Sequence, residues 1–474
     1  MSPSAGQSSL SGQALRRAYR SGARTPAEVI AQVYERIDQY ADPALWIYLA
    51  SREESLHRAA ALQSQDPAAL PLYGLPFAIK DNIDWAGVPT TAGCPEFAYT
   101  PTRSATVIEN LCAAGAIPIG KTNLDQFATG LVGTRSPYGT CRNPFKADYI
   151  PGGSSAGSAV AVATGMVSFA LGTDTAGSGR VPAAFNNLVG LKPTKGYLST
   201  RGVVPAVRSL DCVSIFALTC DDAAAVLAVA SGFDPDDPFS RRPTAGPALN
   251  LAHLRVGVPS PDHLNFFGNA EAERNYQEAL TRLQALGHAI VPIDFQPFAE
   301  TAALLYEGAW VAERTAAVGQ FLQQDHPGLD PVVKTIILGG QHLDAIAVFE
   351  DSYRLKALQR QVEWQWAAMD ILAVPTTGTI YTLEQVQQEP FALNRNLGLY
   401  TNFVNLLDLS AIALPSGFQT NGLPTGITFM APAWQDQALG QLGSQFQALT
   451  GGTLGATAVP YAAVCRPDSF PPSI

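Results

Sequence analysis

The sequence predicts an α/β fold, because two short apolar segments are separated by a helical one. Residues 75–79 read Leu-Pro-Phe-Ala-Ile and precede Lys80, and residues 116–120 read Ala-Ile-Pro-Ile-Gly and precede Lys121. The segment 105–114 between them has helical character. Strand, helix and strand with glycine punctuation are typical of α/β proteins with parallel crossovers. Polar residues just past the carboxyl ends of such strands tend to line the active site, so both lysines are candidate site residues.

The rest of the chain continues this alternation of helices and strands. An N-terminal helix is predicted from Thr25, which with Glu28 forms a capping box with proline at the first helical position. The remaining predicted strands lie at 254–258, 289–295 and 371–374, and the remaining predicted helices at 270–286, 298–324 and 345–369.

The length of 474 residues allows two or three average domains or one large α/β unit. We predict a single domain, 1–474, with an N-terminal helical region at 12–65 and a motif-rich core at 70–220. A remainder at 250–460 completes the fold and the substrate pocket. The intervening segment 231–250 is rich in Pro and Asp and is typical of a surface connection. Because the remainder has no motif set of its own, we do not divide the chain there.

Composition excludes several classes of protein. The net charge of −10 argues against nucleic acid as a direct ligand. No apolar run reaches the length of a membrane span, and the serine-rich start at 1–12 lacks the core of a signal peptide. The six cysteines form no Cys-x-x-Cys pair, which favours free thiols in a reducing cytoplasm. We therefore expect a cytoplasmic protein with no nucleic-acid or membrane partner.

The six histidines are also informative. None lies between residues 58 and 252, so the motif-rich core has no local histidine to act as base or metal ligand. No cluster of cysteine and histidine occurs elsewhere in the sequence. We expect a protein without a metal and without a cofactor.

Residues 151–180 carry the most distinctive pattern. Two turns rich in glycine and serine flank an uncharged apolar segment at 159–170, which we interpret as a buried helix. Serine on such a turn can be presented among exposed backbone N–H groups, as acyl transfer requires. A flexible linker would not be interrupted by a buried helix. A phosphate-binding loop would end in Gly-Lys-Ser/Thr, which is absent here.

These motifs resemble the amidase signature family. The resemblance rests on Gly-Gly-Ser-Ser-x-Gly-Ser, Gly-Thr-Asp-x-x-Gly-Ser and a strand-end Lys-Asp-Asn, and extends over about 12–432. It implies a large mixed β-sheet surrounded by helices and a Ser–cis-Ser–Lys triad. The family's lysine falls on Lys80, its bridging cis-serine on Ser154 and its nucleophile on Ser178.

The chemistry of these residues is consistent with such a triad. Serine needs a base, and lysine can be one only when burial lowers its pKa and leaves it neutral. Ser154 would then relay the proton of Ser178 to Lys80; the alternative for Lys80 is a solvated strand-end cation. An oxyanion hole is expected from the backbone N–H groups of Thr175, Ala176, Gly177 and Ser178. A helix opening at 179–182 would add a favourable potential for an oxyanion.

A competing motif is present at 153–157. It matches the Gly-x-Ser-x-Gly nucleophile elbow of α/β-hydrolases, with Ser155 as nucleophile and a histidine from His253 onward as its base. No downstream histidine has a turn-like context with a partnering aspartate, and the elbow leaves Lys80 and Ser178 unexplained.

Longer stretches narrow the resemblance within the family. Residues 80–84, 120–130, 172–180 and 305–314 are similar to allophanate hydrolases. In those proteins the residues that match Tyr306 and Arg314 hold the substrate. Allophanate is a small anion, and a guanidinium can bind its carboxylate through two hydrogen bonds. The two residues are expected about two turns apart on one helix, although Arg314 could also be a surface residue paired with a nearby glutamate.

The resemblance implies hydrolysis of the terminal amide of allophanate (urea-1-carboxylate) through an acyl-enzyme, with release of ammonia. We expect the protein to be a homodimer. Many allophanate hydrolases carry a further C-terminal domain, and nothing here resembles one. Another small-amide amidase, acting on biuret, carboxybiuret or malonamate, stays open. So does the amidase component of a tRNA-dependent amidotransferase, which does not share the 305–314 segment. A non-catalytic scaffold is disfavoured, because the triad is intact.

Overall fold

The structure is a computed structural model that describes residues 9–244, 246 and 249–465. Most of the serine-rich start, part of the 231–250 connection and the end of the predicted domain lie outside the described residues.

Within the described ranges one mixed sheet has eleven strands, in the order β1-β3-β2-β4-β6-β5-β10-β11-β9-β7-β8. This agrees with the α/β prediction and with the large sheet that the resemblance implies. The strands are β1 (Trp46–Leu49), β2 (Pro76–Lys80), β3 (Ile117–Thr122), β4 (Phe169–Asp174), β5 (Val189–Lys192), β6 (Cys212–Ala217), β7 (Arg255–Pro259), β8 (Ala289–Ile293), β9 (Ile371–Pro375), β10 (Leu409–Phe418) and β11 (Pro424–Pro432).

Helices surround the sheet. Those described are α1 (Gly12–Arg20), α2 (Pro26–Tyr40), α3 (Arg52–Ala61), α4 (Thr106–Ala113), α5 (Ala156–Ala163), α6 (Val181–Phe185), α7 (Cys220–Ala230), α8 (Ala270–Ala285), α9 (Gln296–Glu307), α10 (Trp310–Leu322), α11 (Pro331–Gly339), α12 (Ala345–Trp366), α13 (Leu383–Gln388), α14 (Ala392–Leu397), α15 (Asp436–Thr450) and α16 (Tyr461–Val464). The predicted capping box at the start of α2 is confirmed.

The predicted parallel crossover is confirmed. Strand β2 pairs in parallel with β3, which follows α4, and on its other side with β4. The carboxyl ends of these three strands therefore meet at one edge of the sheet. Sequence reasoning missed six of the described strands, β1, β4, β5, β6, β10 and β11. Of these, β1 lies inside the predicted N-terminal helical region and pairs antiparallel with β3.

The centre of the sheet is tightly packed. Every residue of β2, β3 and β4 is buried, which suits their continuous apolar sequences. Phe77 on β2 stacks on Phe169 on β4, with ring centroids 5.1 Å apart. Helix α5 is also buried throughout. A Cβ at its Gly157 would lie 2.8 Å from the backbone nitrogen of Asn123, so this close approach requires glycine.

Two helix predictions need correction. The apolar segment 159–170 is not one helix: α5 ends at Ala163, Gly165 adopts a positive φ of 70°, and β4 begins at Phe169. The predicted helix 298–324 is divided into α9 and α10. Gly308 is extended at the break, and the carboxylate of Asp351 on α12 accepts the N–H of Ala309 at 2.8 Å. The first break depends on Gly165. The second depends on Gly308 and on Asp351, which is distant from it in the sequence.

Helix α12 has an unpaired apolar face. Leu358 and Val362 are buried, whereas Ile346, Tyr353 and Trp364 on the opposite side are 66%, 69% and 66% exposed.

No single helix in the described part of the chain is long and apolar enough to cross a membrane. Residues 331–342 and 345–366 pass that test only together, and the two are bent by 100° at their break.

Candidate active site

The three residues that the resemblance selects come from three segments at the carboxyl edge of the central strands. Lys80 ends β2, Ser154 precedes α5, and Ser178 lies in the turn between β4 and α6. All three are buried. Lys80 Nζ donates to Ser154 Oγ at 2.7 Å and to Thr173 Oγ1 on β4 at 2.8 Å. The Gly153–Ser154 peptide bond is cis.

Lys80 is held where an ammonium is poorly solvated. Burial lowers the pKa of Lys80 from its ordinary value to about 7, although the negative charges of Asp125, Asp174 and Asp211 act in the opposite direction. None of these carboxylates forms an ion pair with it. An amine with this pKa is substantially neutral at neutral pH and can accept a proton.

Asp174 organises the turn that carries Ser178. Its carboxylate accepts the N–H groups of Gly177 at 2.8 Å and Gly179 at 3.0 Å, and it binds the Arg180 guanidinium at 2.8 and 2.9 Å. Burial raises the pKa of Asp174, but the Arg180 charge and these hydrogen bonds outweigh that effect and hold it below its ordinary value. The turn is therefore built around a buried carboxylate.

One of the four backbone N–H groups predicted to form the oxyanion hole is already used. The N–H of Gly177 already donates to Asp174, so it is not available to an oxyanion. The N–H groups of Thr175, Ala176 and Ser178 have no acceptor among the described residues. The hydroxyl of Ser178 lies at the same turn and donates to the carbonyl oxygen of Gly130 at 3.4 Å. A hydroxyl and three unused donors are thus close together.

The side chains of Tyr306 and Arg314 are in contact, but they come from two helices and not from the single helix predicted. Tyr306 is on α9 and Arg314 on α10, so the argument from a single helix was wrong. The guanidinium carbon lies 5.0 Å from the centroid of the tyrosine ring, and Nη2 is 3.4 Å from the phenolic oxygen. Nη1 donates to Thr129 Oγ1 at 3.1 Å. Arg314 is 1% exposed, which excludes the alternative of a surface residue.

A cavity of about 320 Å³ lies beside this pair. Tyr306, Arg135, Asn394 and Asn402 are among the residues that line it. The catalytic candidates do not line it themselves. The segment 129–130 connects the two regions, because residue 129 contacts the guanidinium of the pair and residue 130 accepts the hydroxyl of the candidate nucleophile.

Two other candidates lie apart from this arrangement. Ser155 is fully buried, and its hydroxyl donates to the carbonyl oxygen of Thr173 at 3.2 Å beneath β4. The N–H of Thr173 also donates to the hydroxyl oxygen of Ser155 at 3.4 Å, so the hydroxyl is used by the β4 backbone, which does not fit the free serine of a nucleophile elbow. Lys121, the second strand-end lysine, forms a buried ion pair with Asp81 at 3.0 Å and donates to Thr90.

No group of three or more His, Cys, Asp or Glu side chains suited to a metal ion occurs in residues 9–244, 246 and 249–465. All six cysteines lie within these ranges, and each is free.

With this geometry in place, comparison with known proteins becomes informative. The sequence model of the family described as Amidase matches residues 28–439. The chain belongs to the amidase family. The resemblance drawn from the sequence motifs is therefore confirmed.

Several amidase relatives are similar over most of this chain. The chain is 48% identical over 404 residues to urea amidolyase of Saccharomyces cerevisiae, covering 85% of this chain and 22% of that protein. It is 33% identical over 479 residues to a glutamyl-tRNA(Gln) amidotransferase component of Symbiobacterium thermophilum, covering 93% of this chain and 97% of that protein. A solved structure of selenomethionine-substituted Kluyveromyces lactis allophanate hydrolase has a TM-score of 0.86 at 46% identity, covering 93% of this chain and 72% of that chain. The chain spans about a fifth of the length of the first curated relatives that it matches.

Sequence reasoning missed three neighbours of this amidase site. Thr173 contacts Lys80, Thr129 contacts the guanidinium of Arg314, and Gly130 accepts the Ser178 hydroxyl. All three lie inside motif stretches that the sequence analysis singled out. The motifs located them, but nothing in the sequence indicated their contacts.

The Lys80 amine is expected to titrate near pH 7. Because burial disfavours the charged form, its pKa lies well below the ordinary value of about 10.4. NMR titration of protein with ¹³C-labelled lysine side chains measures this value, and Lys80→Met assigns the resonance. A midpoint close to the ordinary value would contradict this account of the site.

Proposed function

We propose that this chain hydrolyses the terminal amide of allophanate and releases ammonia. The observation that carries the proposal is the buried Arg314 guanidinium. It stacks on Tyr306, which lines the cavity, and residues 129 and 130 connect it to the Ser178 turn. The match to a protein named allophanate hydrolase supports it. A small anionic amide fits this arrangement, because a buried guanidinium offers a carboxylate both charge and paired donors.

In the proposed mechanism, Ser178 Oγ attacks the carbonyl carbon of the terminal amide. Its proton passes to Ser154 Oγ as the proton of Ser154 passes to neutral Lys80, across the 2.7 Å contact. The free N–H groups of the turn stabilise the oxyanion. When the intermediate collapses, the proton returns through Ser154 to the leaving nitrogen, and ammonia departs from an acyl-enzyme.

Deacylation repeats these steps with water. Water attacks the acyl carbon and passes a proton through Ser154 to Lys80, and Ser178 regains its own proton as it leaves. The second product is N-carboxycarbamate. Because only neutral Lys80 accepts the proton, activity should rise with pH through the region of its pKa, about 7.

In this proposal Ser178 is the acylated residue. Ser178→Ala should abolish turnover with the fold unchanged, because it removes the hydroxyl that attacks. Mass spectrometry of protein quenched during turnover should locate the acyl adduct on the peptide containing Ser178. Ser155→Ala is the matched control, since that buried hydroxyl points to β4. An adduct on Ser154 or Ser155 would contradict the assignment of Ser178 as the nucleophile.

Arg314 is proposed to select the carboxylate, and Tyr306 to fix its orientation. Arg314→Ala should lower kcat/KM on allophanate by the equivalent of about 2–5 kcal/mol, as when one partner of a buried charge pair is lost. The loss on biuret, a neutral amide of similar size, should be much smaller. Ammonia release from allophanate, biuret, malonamate and glutamine, assayed side by side, measures both effects.

Arg395→Ala is the control, because that arginine lines the same cavity as Tyr306 but its side chain is 72% exposed. Its effect on allophanate turnover should be small. Equal losses on allophanate and biuret in Arg314→Ala would mean that Arg314 does not recognise the carboxylate. A wild-type preference for glutamine would instead favour the amidotransferase component, which the match to the Symbiobacterium thermophilum protein keeps open.

We also propose that the chain acts in the cytoplasm as a homodimer. The free cysteines fit a reducing compartment. The exposed face of α12 supports self-association, because it suits antiparallel packing about a twofold axis near position 355. Such packing would set Ile346 against Trp364 and Glu350 against Arg360 of the second copy, which pairs apolar with apolar groups and opposite charges.

Wild-type protein is therefore expected at twice the 50.1 kDa mass of one chain in size-exclusion chromatography with light scattering. The double variant F349D/Y353D should be monomeric, because it places two charges on the α12 face. Phe418→Asp is the control at an exposed phenylalanine elsewhere. A monomeric wild type, or a double variant that stays dimeric, would rule this surface out.

A further inference from the structure

A second buried carboxylate lies behind the turn that carries Ser178, and the mechanism above does not use it. Asp211 accepts the hydroxyl hydrogen of Thr175, the first residue of that turn. It also accepts the N–H groups of Ala206 at 2.8 Å and Val207 at 3.2 Å. One carboxylate thus ties the turn to the loop that leads into β6. Its side chain is nearly inaccessible, since the residue is 7% exposed.

The same two segments are joined at a second point. The side-chain amide of Asn405 donates to the backbone oxygen of Asp174 at 2.7 Å and to that of Leu210 at 2.8 Å. Asp174 precedes the turn and Leu210 precedes Asp211. The start of the turn is therefore held from two directions, by Asn405 through the backbone and by Asp211 through the side chain of Thr175.

From this geometry we infer that Asp211 is a positioning residue for amide hydrolysis. It fixes the backbone N–H groups at 175 and 176 through the Thr175 hydroxyl. The inference rests on the proposed function. Oxyanion donors act only when they lie within hydrogen-bond distance of the oxygen that becomes charged, so a small displacement of the turn costs rate.

Substrate binding should depend much less on the contact between Asp211 and Thr175. Tyr306 and Arg314, which are proposed to hold the substrate, lie on α9 and α10 and make no hydrogen bond to Asp211 or Thr175 among the described residues. Burial raises the pKa of Asp211, and the charge of Arg314 is among the effects that oppose this rise, so Asp211→Asn also removes a charge that acts on Arg314. Thr175→Val leaves both charges in place, and its loss should therefore appear in kcat, with little change in KM. A purely structural role would not separate the two constants in this way.

The test begins with Asp211→Asn, which keeps the shape but replaces one acceptor oxygen with an NH₂ group that cannot accept. We expect kcat to fall by about tenfold to a hundredfold, the scale of a displaced catalytic group. Asp222→Asn is the matched control. Asp222 is another buried carboxylate that accepts backbone N–H groups, those of Gly12 and Gln13. Its kcat should stay close to that of wild type.

A second set of variants separates positioning from folding. Thr175→Val keeps the size of the side chain but removes the hydroxyl, and it should lose as much kcat as Asp211→Asn. Thr175→Ser should recover most of that loss. The double variant D211N/T175V should lose less than the sum of the two single losses, because both changes act on the same contact. If Asp211→Asn does not fold, the two Thr175 variants decide the matter.

Three results would overturn the inference: additive losses in the double variant, an equal loss of kcat in Asp222→Asn, or full activity in Thr175→Val. The rate comparison is made on whichever amide the wild-type protein hydrolyses fastest. Failure of allophanate as substrate would therefore refute the proposed substrate alone, while the comparison on another amide would still test Asp211.

Discussion

Burial of one lysine amine is the constraint on which this site depends. Lys80 ends a strand whose every residue is buried. Within the described part of the chain, its amine donates hydrogen bonds to two hydroxyl oxygens, those of Ser154 and Thr173. Water would stabilise the charged ammonium form and raise the pKa of Lys80, and the protonated amine cannot accept a proton. Lys80 is 0% exposed, so water has no access to that position.

Buried carboxylates surround this amine without pairing with it. Asp125 accepts the N–H groups of Gly133 and Arg135, Asp174 binds Arg180 and two glycine amides, and Asp211 binds Thr175. Each carboxylate is satisfied by its own donors. Their negative charge still reaches Lys80 and raises its pKa, against the larger effect of burial. The balance leaves an amine with a pKa of about 7, where an ion pair would have left a permanent cation.

The proposed specificity depends on a break in a helix. Gly308 follows the last residue of α9, and Asp351 of α12 accepts the N–H of Ala309, so α10 is a separate helix. Tyr306 and Arg314 then face each other from two helices, and the guanidinium lies over the ring. A continuous helix would have separated the two side chains around its axis by roughly 80°.

The sequence by itself determined the α/β class, the strands β2, β3, β7, β8 and β9, several of the helices, the amidase motifs and the residues that the resemblance selects. These signals are contiguous: an apolar strand ends in lysine, and glycine and serine recur at short spacing. Only the tertiary structure decided that 298–324 is two helices, that the N–H of Gly177 is already used, and that β1 joins the sheet. The first and last of these depend on partners far away in the chain, Asp351 and β3. The Gly177 contact depends on how the turn folds back on Asp174, which residue spacing alone does not specify.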